Sequence, residues 1–280
     1  MRPCLAVFTL LMGGVGLLST TDGPVQVAKA SSLVTVPWVV VNDTVMGGRS
    51  SASVAVDSKG HLVWAGNLSL DNNGGFVSIR SQGTWADWSG YDGVEVVLAG
   101  AGRDVQVTAQ RSDRVIRAGG YRAMVPTDLR GDTRVFIPFT AFVLKRFGRP
   151  IKGPALTEGL AKLGQRGLLI ADKREGPFEV TVKSFAPARH SLKTRPSAEA
   201  RQVLLKAVER GVPVFNAGDH AGCARIYGEV LQGLVDGYQL GPAGWAHRVC
   251  KTALVRAATQ GDTDAAWTLR RAIDGVLRSL

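Results

Sequence analysis

The sequence predicts a mainly β protein: a β-sandwich of the jelly-roll kind, followed by a small C-terminal α-helical bundle. Two observations carry this. Residues 33–185 consist of short runs with period-two alternation, separated by glycine-rich turns. From about residue 197 the apolar period lengthens to that of an amphipathic helix. A third feature lies before both. Arg2, the uncharged apolar run CLAVFTLLMGGVGLL (4–18) and Ala28-Lys29-Ala30 together form the pattern of a secretory signal peptide. The apolar run is short for a membrane span, which needs roughly 17–25 residues. Residues 1–30 are therefore expected to be a leader cleaved after Ala30. The mature chain would begin at Ser31, carry no transmembrane segment, and be secreted or periplasmic.

The strands follow in order. LVTVPWVVV (33–41) is β-branched and aromatic. SASVAV (51–56) and HLVWAGNLSL (61–70) alternate, with Leu62, Trp64, Leu68 and Leu70 on favoured faces. GFVSIR (75–80), GVEVVLAG (93–100), DVQVTAQR (104–111), RVFIPF (134–139), GLLIADK (167–173) and FEVTVKSF (178–185) complete the set. NNGG, SGYDG, AGAG, AGG, RGD and EGP stand between them as turns. Many short strands at this spacing, with one short helix expected over 155–165, describe a sandwich domain spanning 31–186.

PARHSLKTRP (187–196) is polar, basic and bounded by prolines, and reads as a linker. Beyond it, over 197–280, four apolar stripes at helical spacing predict four helices in antiparallel hairpins: Ala200 to Val208, Cys223 to Leu234, Trp245 to Ala257, and Leu269 to Leu280. Asp219 and Thr263 are expected N-caps, and Gly211, Gly237 and Gly261 expected helix ends. FNAGDHAGCARIYGEVL (215–231) faintly resembles a tetratricopeptide-type helix, so the region reads as a tetratricopeptide-like helical hairpin domain.

Composition narrows the function classes. The net charge is +11; without the expected leader it is +10, with +5 over residues 31–185 and +5 over 186–280. An exported basic chain is expected to meet anionic lipid, polysaccharide or cell-wall polymer. No nucleic-acid motif is present, and nucleic acid is not an expected partner. The leader takes Cys4, leaving Cys223 and Cys250; in an oxidising compartment that pair is expected to form a disulfide. A plain hairpin register sets the two about 9 Å out of line, which tells against the bond. His61, His190, His220 and His247 have no metal-ligand spacing. Nucleophile-elbow, Walker and dinucleotide fingerprints are missing from the sequence, so no cofactor is expected.

The residues that remain as candidate ligand contacts are Asn42, Asp43, Arg49, Ser50, Arg80, Asp172 and Lys173. Asn42 and Asp43 end a strand before Gly47-Gly48-Arg49-Ser50. Such a pair serves either as a structural turn or as oxygen donors to a sugar or hard cation, and the turn is favoured. Arg80 shares a strand face with Phe76 and Ser78; it is expected at a rim or bridged to Asp43 or Asp172. Arg111, Arg114, Arg117, Arg122, Arg130 and Arg134 crowd one stretch, suited to an anionic partner or to solvated strand edges.

Five segments in order, VNDTVMGGRSSA (41–52), NNGGFVSIRS (72–81), WSGYDGVEV (88–96), RVFIPFTAFV (134–143) and LLIADKREGPFEVTV (168–182), resemble the complex I intermediate-associated protein 30 family. The sequence departs from that pattern at Ala101 of Gly100-Ala101-Gly102-Arg103 and at Arg134, where the family favours aspartate and tryptophan. The resemblance implies a galactose-binding-like jelly roll, no catalytic residues, and an assembly role. Mitochondrial members help to assemble respiratory complex I in the matrix, whereas the leader places this chain on the opposite side of a membrane. The expected function is thus a non-catalytic exported module that binds a protein partner, through a face of the sandwich or a groove of the bundle. The alternatives are a carbohydrate-binding module using Trp85 and Trp88 as a platform, and an envelope glycan-acting enzyme with a carboxylate pair drawn from Asp43, Glu95 and Asp172.

Overall fold

A computed structural model of the chain describes residues 25–27, 33, 36–82, 87–100, 102–114, 119–125, 132–190, 198–236 and 244–280. Within them, two antiparallel sheets face each other as a β-sandwich, and four helices follow. The strands are β1 (Val25–Val27), β2 (Trp38–Asn42), β3 (Ser51–Val56), β4 (Leu62–Leu68), β5 (Val77–Ser81), β6 (Gly93–Gly100), β7 (Val105–Arg111), β8 (Gly120–Met124), β9 (Thr133–Pro138), β10 (Val143–Arg146), β11 (Arg149–Pro150), β12 (Leu163–Ile170) and β13 (Gly176–His190). One sheet runs β3-β4-β13-β6-β9 with β1 also on β13; the other runs β11-β10-β8-β7-β12-β5-β2.

Period-two alternation builds the core between the sheets. Leu62, Trp64, Val94, Val96, Leu98 and Val180 face inward from the first sheet, and Val77, Ile79, Val107, Tyr121, Leu168 and Ile170 from the second; all are buried. Trp64 meets Phe178 edge-on at 5.1 Å between centroids. Leu70, expected on the same face as Leu68, lies past the end of β4 and is exposed. The expected short helix is a 3-10 stretch, Leu156–Lys162.

Two boundaries differ from the expectation. Residues 187–190 are not linker: β13 continues through Pro187 to His190, pairing with Glu95, Val94 and Gly93 of β6 through Ala186, Pro187 and Ala188. The proline is tolerated because residues 183–187 have a neighbouring strand on one side only, β4 having ended at Val182↔Leu62 and β1 beginning at Ala188↔Val27. The strand β1 itself falls inside the segment expected to be removed, pairing Val25–Val27 with His190 to Ala188. The remainder of the expected linker, 191–197, and of the expected leader lie outside the described residues. No helix among the described residues is long and apolar enough to cross a membrane.

The bundle consists of α1 (Ala198–Asn216), α2 (His220–Asp236), α3 (Trp245–Ala257) and α4 (Asp262–Ser279). Gly211 does not end α1. The helix runs on through Pro213, and the glycine is there for packing: a Cβ would stand 2.3 Å from the Tyr227 ring of α2. Asp219 caps α2 as expected, its Oδ1 accepting the Gly222 N–H at 2.7 Å. At α4 the cap position is Gly261, and Thr263 is the second residue of the helix. Gly237 lies outside the described residues.

Cys223 and Cys250 are free, buried thiols, not a disulfide. Register explains it. Cys223 stands thirteen residues before the end of α2 and Cys250 five after the start of α3, an offset of about 12 Å at 1.5 Å per residue. Burial pushes the Cys250 thiol up to about 12 and raises that of Cys223.

Candidate functional site

Asn42, Asp43 and Ser50 meet at one end of the seven-stranded sheet. Asp43 opens a 3-10 turn, Asp43–Met46, after β2, and is 1% exposed. Its Oδ1 accepts the Ser50 N–H at 2.9 Å; its Oδ2 accepts the Ser50 hydroxyl at 2.5 Å and the N–H groups of Gly75 and Phe76 at 2.6 and 3.2 Å. A Cβ on Gly48 or Gly74 would stand 2.4 or 2.7 Å from this carboxylate, so both glycines are there for close approach. Burial raises the Asp43 pKa, but the Ser50 hydroxyl and the amides of Gly75, Ser50 and Phe76 outweigh it, and the net shift is downward. These four bonds, one to Oδ1 and three to Oδ2, close the 43–50 turn through Ser50 and tie it to Gly75 and Phe76. Asn42 keeps one buried acceptor, Oδ1, without a partner. Arg49 is exposed and only 3.8 Å from exposed Asp71, a pair worth about 0–1 kcal/mol.

Asp172 and Lys173 belong to the turn after β12, at the same end of the sheet. The Asp172 side chain is fully buried, ion-paired to Arg103 at 3.0 Å and to Arg174 at 2.8 Å, and also accepts the N–H groups of Asp104 and Arg174. Lys173 is exposed at φ +58° and supports the turn. Glu95, on the other sheet, is bound by Arg134 at 2.6 Å. The three carboxylates considered for chemistry therefore sit in three separate structural contacts, and the structure does not bring any two together as a working pair. Trp88 is likewise no platform: it is buried, stacked on Phe139 at 5.9 Å. Trp85 lies outside the described residues.

Arg80 is different. It is bridged neither to Asp43 nor to Asp172, and it lies on the face of the seven-stranded sheet turned away from the core. Register aligns Val39, Arg80, Gly167, Thr108, Arg122 and Val143 in one row across β2, β5, β12, β7, β8 and β10. Residues opposite one another in a ladder share a face, so Arg80 and Arg122 flank a notch formed by Gly167 and Thr108. Gly167 admits no side chain, since a Cβ would lie 2.4 Å from the Ile79 carbonyl oxygen. Lys145, two residues past Val143, shares this face and pairs with Gly120. Gln106 and Gln165 add amides by the same parity. Among the described residues, no carboxylate pairs with Arg80, Arg122 or Lys145.

The electrostatics follow from that. Burial lowers the Arg80 pKa. Burial and then the Arg80 charge lower that of Arg122, and burial followed by the charges of Arg122, Arg278 and Arg271 lowers that of Lys145. The last two cations come from α4, so the bundle contributes to this field. It is held in place by Trp245 Nε1 donating to the Met124 carbonyl at 3.0 Å, by Arg248 donating to the Arg134 carbonyl, and by the Arg256–Asp104 pair. Sequence reasoning named Arg80 and placed Arg122 in a crowded run, but missed Lys145 and Thr108. The run itself disperses: Arg111 binds Asp113, Arg134 binds Glu95, and Arg117 and Arg130 lie outside the described residues.

A model of the complex I intermediate-associated protein 30 family matches residues 26–182, more than half of the chain. No curated protein matches. Among solved structures, a family 11 carbohydrate-binding module from Clostridium thermocellum, in complex with a β-1,3-1,4-mixed-linked tetrasaccharide, is 13% identical with a TM-score of 0.42, over 61% of this chain and 98% of that one. A second structure of a family 11 module, from the Clostridium thermocellum cellulosomal cellulase Lic26A-Cel5E, is 14% identical with a TM-score of 0.40, over 57% and 90%. An agarase is 8% identical with a TM-score of 0.42, over 68% of this chain and 31% of that one.

Proposed function

We propose that this chain, which belongs to the complex I intermediate-associated protein 30 family, is a non-catalytic binding or assembly protein that holds a protein partner on the outward face of its seven-stranded sheet, where Arg80, Arg122 and Lys145 are partly exposed. One observation carries the reading. Among the described residues, Arg80, Arg122 and Lys145 are partly buried on that face with no carboxylate paired to them, whereas Asp43, Glu95 and Asp172 are already committed to holding the fold. Desolvated charge left unpaired is retained where a partner completes it. The leader pattern puts the protein in the periplasm or outside the cell. Its partner is then an envelope or extracellular protein, not a component on the matrix-equivalent side.

A photo-crosslinking amino acid at position 108 tests this in cells. It is expected to capture one defined envelope protein, while the same group at Ser58, on the exposed β3–β4 hairpin, captures none. Equal labelling from both positions, or none from position 108, rejects the reading. Fractionation tests export separately: the mature chain is expected in the periplasmic or culture fraction, and retention in the cytoplasm rejects that part.

A further inference from the structure

We infer that the notch between Arg80 and Arg122, floored by Gly167 and Thr108, is a carboxylate-binding site, and that its occupant is an extended acidic segment of the partner protein. This rests on the binding reading above and names the chemistry by which the partner is recognised.

The geometry comes from backbone register. β5 and β8 are separated by two strands, so the Arg80 and Arg122 backbones stand about 14 Å apart at roughly 4.8 Å per strand step. Between them the row holds only a hydrogen and a threonine side chain. Two planar guanidinium forks rooted on either side of such a gap, near enough for one charge to act on the other, suit a carboxylate, which accepts from both. The field between them is not dissipated locally, since the Arg80 charge is felt at Arg122. Lys145 offers a second cationic position on the neighbouring strand, a diagonal of about 7–8 Å from Arg122, close to the 6.6–6.8 Å between alternate side chains of an extended peptide. The amides of Gln106 and Gln165 are suited to peptide groups between the acidic side chains. The strands of this face present no tryptophan or tyrosine among the described residues, so the ring platform that a neutral sugar needs is missing.

Contrast with Arg166 sharpens the point. That arginine is also buried and also lacks a carboxylate, but its guanidinium lies 6.0 Å from the Trp38 ring and 5.6 Å from Phe185, and so is accounted for within the fold. Among the described residues, Arg80 and Arg122 have no such ring contact.

The test uses the full mature chain with decaglutamate as probe, and polygalacturonate and decaglutamine as comparisons, by calorimetry at low ionic strength, about 0.05 M. Decaglutamate is expected to bind saturably, and Arg80→Gln with Arg122→Gln to weaken it by at least about tenfold. Arg49→Gln, which removes one exposed positive charge elsewhere, is expected to change it less than about twofold. Thr108→Glu places a carboxylate in the notch; it is expected to abolish binding while raising the melting temperature, an outcome that misfolding does not mimic. No saturable binding of decaglutamate overturns the inference, as does equal weakening by Arg49→Gln. Dependence of polygalacturonate, but not decaglutamate, on Arg80 and Arg122 overturns it in favour of a glycan. If the protein captured at position 108 is retained by the double variant, this inference falls and the binding role stands. If decaglutamate binds as expected but position 108 captures nothing, the site stands and the protein-partner role falls.

Discussion

The Asp43 turn and the Arg80–Arg122 face present opposite solutions for charge taken out of water. At the turn, one carboxylate accepts four hydrogen bonds, and two glycines clear space for it. On the face, two guanidinium groups and an ammonium are partly desolvated, and among the described residues the charges acting on Arg122 and Lys145 are of like sign. A charge saturated from within serves the fold; a charge left unsaturated serves something that arrives. The sequence's most conspicuous motif, Asn42 to Ser50, thus holds the fold together, while the proposed binding rests on a plain strand arginine.

The largest expected effect breaks the first half of that comparison. Asp43→Ala strands the N–H groups of Ser50, Gly75 and Phe76 and is expected to destabilise by roughly 3–5 kcal/mol, read by chemical denaturation. The pH dependence has a definite sign. The folded-state pKa of Asp43 lies below its ordinary value of 3.8, so its contribution is complete above that value and is lost as pH falls through the lower, folded one. The stability gap between the wild type and Asp43→Asn is expected to narrow below about pH 4. A gap that stays constant down to pH 2 would show that the ionised carboxylate is not what the turn needs.

Gly211→Ala comes next. The added Cβ meets the Tyr227 ring at 2.3 Å, so α1 must move away from α2, and a loss of about 1–3 kcal/mol is expected in a thermal melt. An unchanged melting temperature would mean that the ring yields freely. Removing β1 is expected to cost about 1–2 kcal/mol, since a few ladder hydrogen bonds to Ala188–His190 go with it. Chains beginning at Gly23 and at Ser31 make the comparison. Equal stability would mean that cleavage after Ala30 takes nothing from the fold, and a deficit would favour a processing site before Val25.

These cases also show what was legible in the sequence. Nine runs with clean alternation or β-branched composition were readable as strands because the signal is local. The strand β8 was not: in Gly120-Tyr121-Arg122-Ala123-Met124 the inward residues Tyr121 and Ala123 are unequal in size, and an arginine and a methionine sit on the open face. The strand β13 was cut short because Pro187 reads as a breaker unless its one-sided environment is known. Asp43 was legible as a turn residue, since Asn-Asp before Gly-Gly is local chemistry. The cationic notch was not, because Arg80, Gly167, Thr108 and Arg122 are neighbours only through inter-strand register, which no spacing within one segment encodes.

The smallest expected effect is the most telling for the second half of the comparison. If Arg80 and Arg122 were part of the scaffold, replacing them would injure it, as replacing Asp43 does. Their charges repel each other and are partly desolvated, and among the described residues no carboxylate is left behind by their loss. Arg80→Gln and Arg122→Gln, singly, are therefore expected to lie within about 0.5 kcal/mol of wild type, with any departure toward greater stability and larger at low salt, where repulsion is least screened. Gln keeps the Cβ and Cγ methylenes of the stem and a polar amide for solvent, so most of the change is in charge. A loss of 2 kcal/mol or more, of the order seen when one partner of a buried ion pair is removed, would move both arginines to the Asp43 side of the comparison and take the binding face with them.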